Sequence, residues 1–123
     1  MNINYSDIFV TLATQKVETV VNFYTKLFGI EPIVYRPQIY AEFQLEKLRI
    51  AIFKPKSERQ SEFDRRGGSA FSLCLEVENL ERAIACLTDL GYPPPGEIIT
   101  ASHGKEIYSY DPIGNRLILH QSS

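Results

Sequence analysis

Two stretches decide the fold: residues 17–29, VETVVNFYTKLFG, and residues 80–91, LERAIACLTDLG. In the first, Val17, Val20, Val21, Tyr24, Leu27 and Phe28 recur at spacings of three and four; in the second, Leu80, Ala83, Ile84, Leu87 and Leu90 do so. Each pattern is the apolar stripe of a one-sided helix. Each ends on a glycine, Gly29 or Gly91, where a helix stop needs a left-handed residue. Pro32 follows the first, beyond which a helix could not continue. The spacing predicts a first helix over 15–28.

Working outward, residues 7–13 alternate Ile8, Val10 and Leu12 with Phe9, Thr11 and Ala13, which predicts a strand. Three short strand patterns follow the first helix, over 33–36, 40–45 and 48–53, the last two joined tightly by Glu46-Lys47. Their alternation predicts antiparallel pairing, with one sheet face on a helix and one face free. After residue 68 the order restarts. Phe71, Leu73, Leu75 and Val77 alternate with Ser72, Cys74 and Glu76 ahead of the second helix. Pro93-Pro94-Pro95 forces an extended connection. Strands at 97–100, 105–110 and 116–121 close the chain, with the turn Asp111-Pro112-Ile113-Gly114-Asn115 between the last two.

The two halves are one unit written twice. At an offset of 63, Leu12 matches Leu75, Glu18 matches Glu81, Thr25 matches Thr88 and Leu27 matches Leu90. The last strands align at an offset of 67: Arg49 with Arg116, Ile50 with Leu117, Ile52 with Leu119. An α+β chain of two tandem β-α-β-β-β modules is expected, residues 1–54 and 69–121, within a single domain. Between them, eight of the fifteen residues 54–68 are charged and the stretch ends in Gly67-Gly68, which reads as an exposed linker. Arg65-Arg66 reads as a solubilising pair.

Composition narrows the function. Thirteen basic against fifteen acidic side chains, a net charge of −2, give no basic footprint for nucleic acid and no attraction to anionic membranes. No apolar run has the length of a membrane span. Cys74 and Cys86 are the only cysteines, and no secretory signal is visible at the start. Two reduced thiols and a cytoplasmic location are expected.

A paired β-α-β-β-β unit, Phe23-Tyr24-x-x-x-Phe28-Gly29 closing the first helix, and Tyr110-Asp111-Pro112-x-Gly114-Asn115 before the last strand together resemble the vicinal oxygen chelate superfamily. That group contains glyoxalase I, the extradiol dioxygenases, the fosfomycin resistance proteins and the bleomycin-binding resistance proteins. The resemblance covers residues 7–120 and implies curved, antiparallel-rich sheets with a cup-shaped site. In metal-using members four side chains project into the cup, and the resemblance places those positions at Phe9, Ala51 (with Arg49 the nearest alternative register), Ser72 and Ile118. None is an imidazole or a carboxylate, so no metal and no cofactor is expected there.

Strand alternation groups the side chains that share the face of these positions: Phe9, Thr11 and Ala13; Arg49, Ala51 and Phe53; Ser72 and Cys74; Arg116, Ile118 and His120. Tyr108 and Tyr110 share a face whose orientation the pattern leaves open, and Tyr35 and Tyr40 are outside candidates. His120 has a functional reading, a polar ligand contact or general base, and a plainer one, a half-exposed histidine on a fraying terminal strand without a visible partner. His103 is expected in a loop and is not a catalytic pair with Ser102. Arg49 and Arg116 read either as anion-recognising guanidiniums or as strand-start arginines reaching solvent, the second being the plainer. Cys74 reads as a small buried hydrophobe.

The leading expectation is a small-molecule-binding protein that uses no metal and holds an apolar or aromatic ligand in a cup between modules. The alternative is a lyase, isomerase or dioxygenase-type enzyme with an atypical site. A third reading is an assembly domain whose cup is filled by its own aromatics. A homodimer is expected, because each module leaves a concave apolar face that one chain covers only partly. Pairing of modules across chains or within one chain is left open.

Overall fold

A computed structural model describes residues 2–4, 6–64 and 69–123. The Arg65-Arg66 pair and Gly67-Gly68 lie outside the described residues. The chain divides into two compact units, Met1–Phe63 and Asp64–Ser123.

In the first unit the elements run β1 (Val10–Ala13), α1 (Val17–Phe28), β2 (Val34–Arg36), β3 (Tyr40–Gln44) and β4 (Arg49–Phe53). They form one four-stranded sheet in the order β1-β4-β3-β2. The β2–β3 and β3–β4 pairs are antiparallel, as the alternation predicts. The parallel pairing of β1 with β4 is new information: Val10 lies opposite Ile50, Thr11 opposite Ala51, Leu12 opposite Ile52 and Ala13 opposite Phe53. The crossover through α1 thus joins the two edges of the sheet, with β4 and β3 between them.

Burial follows alternation except in β4, where Ala51 on the opposite face is fully buried as well. Ile50, Ile52, Ala41 and Phe43 are buried on one face, and α1 lies over β3 and β4 with Val17, Val20, Val21 and Tyr24 buried. Tyr24 stacks on Phe28 at 5.5 Å, which shows the stripe reaching the last helical turn. Two predicted boundaries shift. The strand begins at Val10 rather than residue 7, and Ile8 is exposed. The helix begins at Val17 because the Thr14 hydroxyl accepts from Lys16 N–H at 2.8 Å, holding residues 14–16 in a turn. Among the described residues of the predicted linker, Ser57–Phe63 forms a 3-10 helix with no buried residue, and Phe63 meets Phe53 edge-on at 5.4 Å.

The second unit repeats the plan with β5 (Leu73–Glu76), α2 (Leu80–Asp89), β6 (Ile99–Ala101), β7 (Gly104–Tyr110) and β8 (Arg116–Ser122), in the order β5-β8-β7-β6. Asn79 caps α2, its side chain accepting from Arg82 N–H at 2.9 Å. The helix stops as Gly91 N–H donates to Thr88 and Tyr92 N–H to Leu87. That pattern needs a left-handed residue, and Gly91 has φ 95°. Leu80 and Leu87 are buried with Leu117, Leu119 and Ile107.

The turn 111–115 explains its own motif. The buried Asp111 carboxylate accepts from Ile113 N–H at 3.0 Å, Asn115 N–H at 2.8 Å and Asn115 Nδ2 at 2.8 Å. This fixes where β8 begins and hence which side chains each face receives. Asp111→Ala leaves those donors without their acceptor and should cost about 2 kcal/mol in urea denaturation, with Asp111→Asn costing less because an amide oxygen still accepts. An unchanged midpoint for Asp111→Ala would show that the turn does not set the register.

Candidate functional site

Cross-strand partners share a face, so the pairings settle which side chains stand opposite each helix. In the first unit that face carries Thr11, Arg49, Ala51 and Phe53, together with Glu42 and Tyr40 from β3. Phe9 joins them: the Arg49 guanidinium sits over its ring, 4.3 Å from the centroid. Tyr35 pairs with Ala41 and so belongs to the other face.

Arg49 is not a free cation reaching solvent. It forms an ion pair with Asp7, and its buried Nε lies 3.7 Å from Glu42 Oε1. The Tyr40 hydroxyl donates to Glu42 Oε2 at 2.7 Å, and that bond holds the phenol above its usual range. The hydrogen bond from Arg49 draws the Asp7 carboxyl below its ordinary value. The charged groups on this face of the first unit are paired with one another, while the buried Arg49 Nε has no hydrogen-bond partner.

In the second unit Tyr108 lies opposite Ile118, Tyr110 opposite Arg116 and Glu106 opposite His120. Cys74 lies opposite Ile118, and Glu76 opposite His120. The pairing therefore orients the two tyrosines, which alternation alone left open: they stand on the face of Ser72, Cys74, Arg116, Ile118 and His120. Arg116 Nε donates to the Ser72 hydroxyl at 2.7 Å, and its Nη2 donates to the Ser69 carbonyl. In both units the residue before the first strand touches the arginine that starts the last one.

Two expectations are corrected here. Cys74 is exposed rather than buried, and its thiol is pushed up by partial desolvation and by the carboxylates of Glu76 and Glu106. It is a poor nucleophile. His120 does have partners. Its Nδ1 lies 2.7 Å from Glu76 Oε1 and its Nε2 lies 3.1 Å from His103 Nδ1. The chain end is tied down, since Ser122 donates through both N–H and hydroxyl to Glu76 Oε2 and Gln121 Oε1 accepts from Leu80 N–H.

His103 occupies the Ser102-His103 turn between β6 and β7. That turn is held close by Gly104, where φ is 141° and an added Cβ would meet the Gln121 carbonyl oxygen at 2.2 Å. The contacts of Glu76 and His103 with His120 are what the sequence pattern left unseen. Glu76 was available from alternation, two residues beyond Cys74; His103 needed the β7–β8 register.

A second feature of this face is a groove of about 530 Å³, lined by Pro95, Gly96, Glu97, Ile99, Tyr108 and Tyr110. Another groove, of about 600 Å³, belongs to the first unit between Phe53 and Phe63 and carries Lys54, Lys56 and Arg59.

The four positions at which metal-using members place ligands can now be tested. Phe9 presents a ring already covered by a guanidinium, and Ala51 presents a methyl group. Ser72 spends its hydroxyl oxygen on a second guanidinium, and Ile118 is alkyl. A divalent ion needs nitrogen or anionic oxygen donors, and none of the four side chains supplies one. These residues do not fit the metal.

Among solved structures, a glyoxalase/bleomycin resistance protein/dioxygenase family enzyme from Burkholderia phytofirmans PsJN has a TM-score of 0.78 at 15% identity, covering 94% of this chain and 97% of that one. A lactoylglutathione lyase from Agrobacterium tumefaciens has a TM-score of 0.67 at 17% identity, covering 95% and 94%. A glyoxalase/bleomycin resistance protein from Catenulispora acidiphila has a TM-score of 0.66 at 19% identity, covering 95% and 98%. At these identities the likeness concerns the fold. No curated protein matches the sequence. No helix among the described residues is long and apolar enough to cross a membrane. The profile of the Glyoxalase/Bleomycin resistance protein/Dioxygenase superfamily matches residues 8–119, nearly the whole chain, and the protein belongs to that superfamily.

Proposed function

We propose that the protein binds an apolar or aromatic small molecule without using a metal, and that it does so as a homodimer. The observation that carries the reading is the pairing of non-ligating side chains with an open aromatic groove. The four expected ligand positions hold a phenyl ring, two alkyl groups and an engaged hydroxyl, while Tyr108 and Tyr110 remain 42% and 37% exposed over a groove of suitable size. The exposed side chains of Ile8 and Phe71 support a second copy, because large apolar groups in water favour association. Nile red, a neutral aromatic dye, should bind with enhanced fluorescence, and Tyr108→Ala should weaken it about tenfold through lost ring contact. Native mass spectrometry of the same sample should give a two-chain mass. Unchanged dye binding in Tyr108→Ala, or a single-chain mass, would contradict the respective part.

A second reading, an acid–base enzyme, is favoured by Glu76, His120 and His103. In the tautomer whose Nδ1–H donates to Glu76, His120 Nε2 is an acceptor for His103 Nδ1–H. His103 Nε2 is then left as the base, with a carboxylate at the far end of the relay.

The relay has a pH signature. The Ser122 hydroxyl first, and His120 second, hold the Glu76 carboxyl below its ordinary 4.5. Stability from a depressed carboxylate is present above its unfolded value and lost as pH falls through the folded one. Wild type should therefore exceed Glu76→Gln in melting temperature at neutral pH, with the gap closing as pH drops below 4.5. A gap independent of pH would mean that Glu76 is not bound as an anion.

A further inference from the structure

We propose that the Tyr108–Tyr110 groove takes a cationic head, a quaternary or similar ammonium carried on an apolar body. This deepens the binding reading above and rests on it. Three observations lead here. Of the six lining residues, Glu97 alone is charged. Among the described residues, neither the Glu97 carboxylate nor the side chain of Tyr108 or Tyr110 has a hydrogen bond, ion pair, ring contact or cation of its own. Both phenol rings nevertheless stand half-exposed beside it on one strand.

Ring faces and a carboxylate attract the same kind of group. A quaternary ammonium is weakly hydrated for a cation, lies against an aromatic face and pairs with a carboxylate without needing a donor–acceptor bond. An anionic ligand would meet Glu97 and find no lining cation. The nearby guanidinium, that of Arg116 opposite Tyr110, is already engaged by Ser72 and Ser69. A neutral ligand would leave the carboxylate unused. Glu106 stands on the same face opposite Ile99 and adds negative charge beside the groove. The first unit's groove sets Lys54, Lys56 and Arg59 against the one carboxylate of Glu62, so its lining is net positive and it serves as an internal control.

The test compares choline with its neutral isostere 3,3-dimethylbutan-1-ol by NMR titration at fixed ionic strength, reading the amides of Ile99, Tyr108 and Tyr110. Choline should bind at those residues at least about tenfold more tightly than the alcohol. Glu97→Gln, an exposed change that the fold should tolerate, should erase the difference, and Lys56→Gln in the other groove should leave it intact. Equal affinities would overturn the cationic preference. So would choline shifts located elsewhere, or a preference that survives Glu97→Gln. Absence of choline binding where Nile red still binds at Tyr108 overturns this proposal and leaves the binding reading standing; absence of both overturns the two together.

Discussion

Each helix closes one face of a four-stranded sheet, and a strand's two-residue period commits every second side chain to the face the helix does not cover. That constraint governs everything else in the molecule. Val17, Val20, Val21 and Tyr24 in the first unit, and Leu80 and Leu87 in the second, remove one face from water. Phe9, Arg49, Phe53, Tyr108, Tyr110 and His120 then have no choice but the other. The parallel β1–β4 and β5–β8 pairs complete the assignment by setting Thr11 beside Ala51 and Glu76 beside His120.

Duplication gave both units the same positions, and the two have diverged in what they do there. The first unit consumes its polar groups internally: Asp7, Glu42, Tyr40 and the Phe9 ring all serve Arg49 or its partners. Such a network stabilises a register and offers little to a ligand. The second unit keeps its arginine on a serine and a backbone carbonyl, leaving two tyrosines and Glu97 around an open groove and a Glu76–His120–His103 relay at the other end of the sheet.

Much of this was legible in the sequence, for identifiable reasons. Helices with one apolar stripe and a terminal glycine are local signals, and Gly29 and Gly91 sit where the pattern puts them, with φ of 68° and 95°. The antiparallel meanders were legible because the alternation and the turns are local too. Parallel pairing depends on residues some forty positions apart and leaves no mark in either strand alone, so the partnership of His120 with Glu76 was hidden, and the orientation of Tyr108 waited on the exact register of β7 against β8. The Asp7–Arg49 ion pair was hidden for the same reason. Cys74 was misjudged because its alternating position was read without asking whether anything covers that face.

The positions at which the resemblance places metal ligands hold a phenyl ring, two alkyl groups and a hydroxyl engaged by a guanidinium. Elemental analysis of the purified protein, after incubation with zinc, nickel, manganese and iron salts and removal of loose ions, tests directly whether they hold a metal. The account predicts well below about 0.1 metal ion per chain, because Phe9, Ala51, Ser72 and Ile118 supply no imidazole or carboxylate. About one tightly held ion per chain, lost on replacing Ser72 or Ile118, would contradict it.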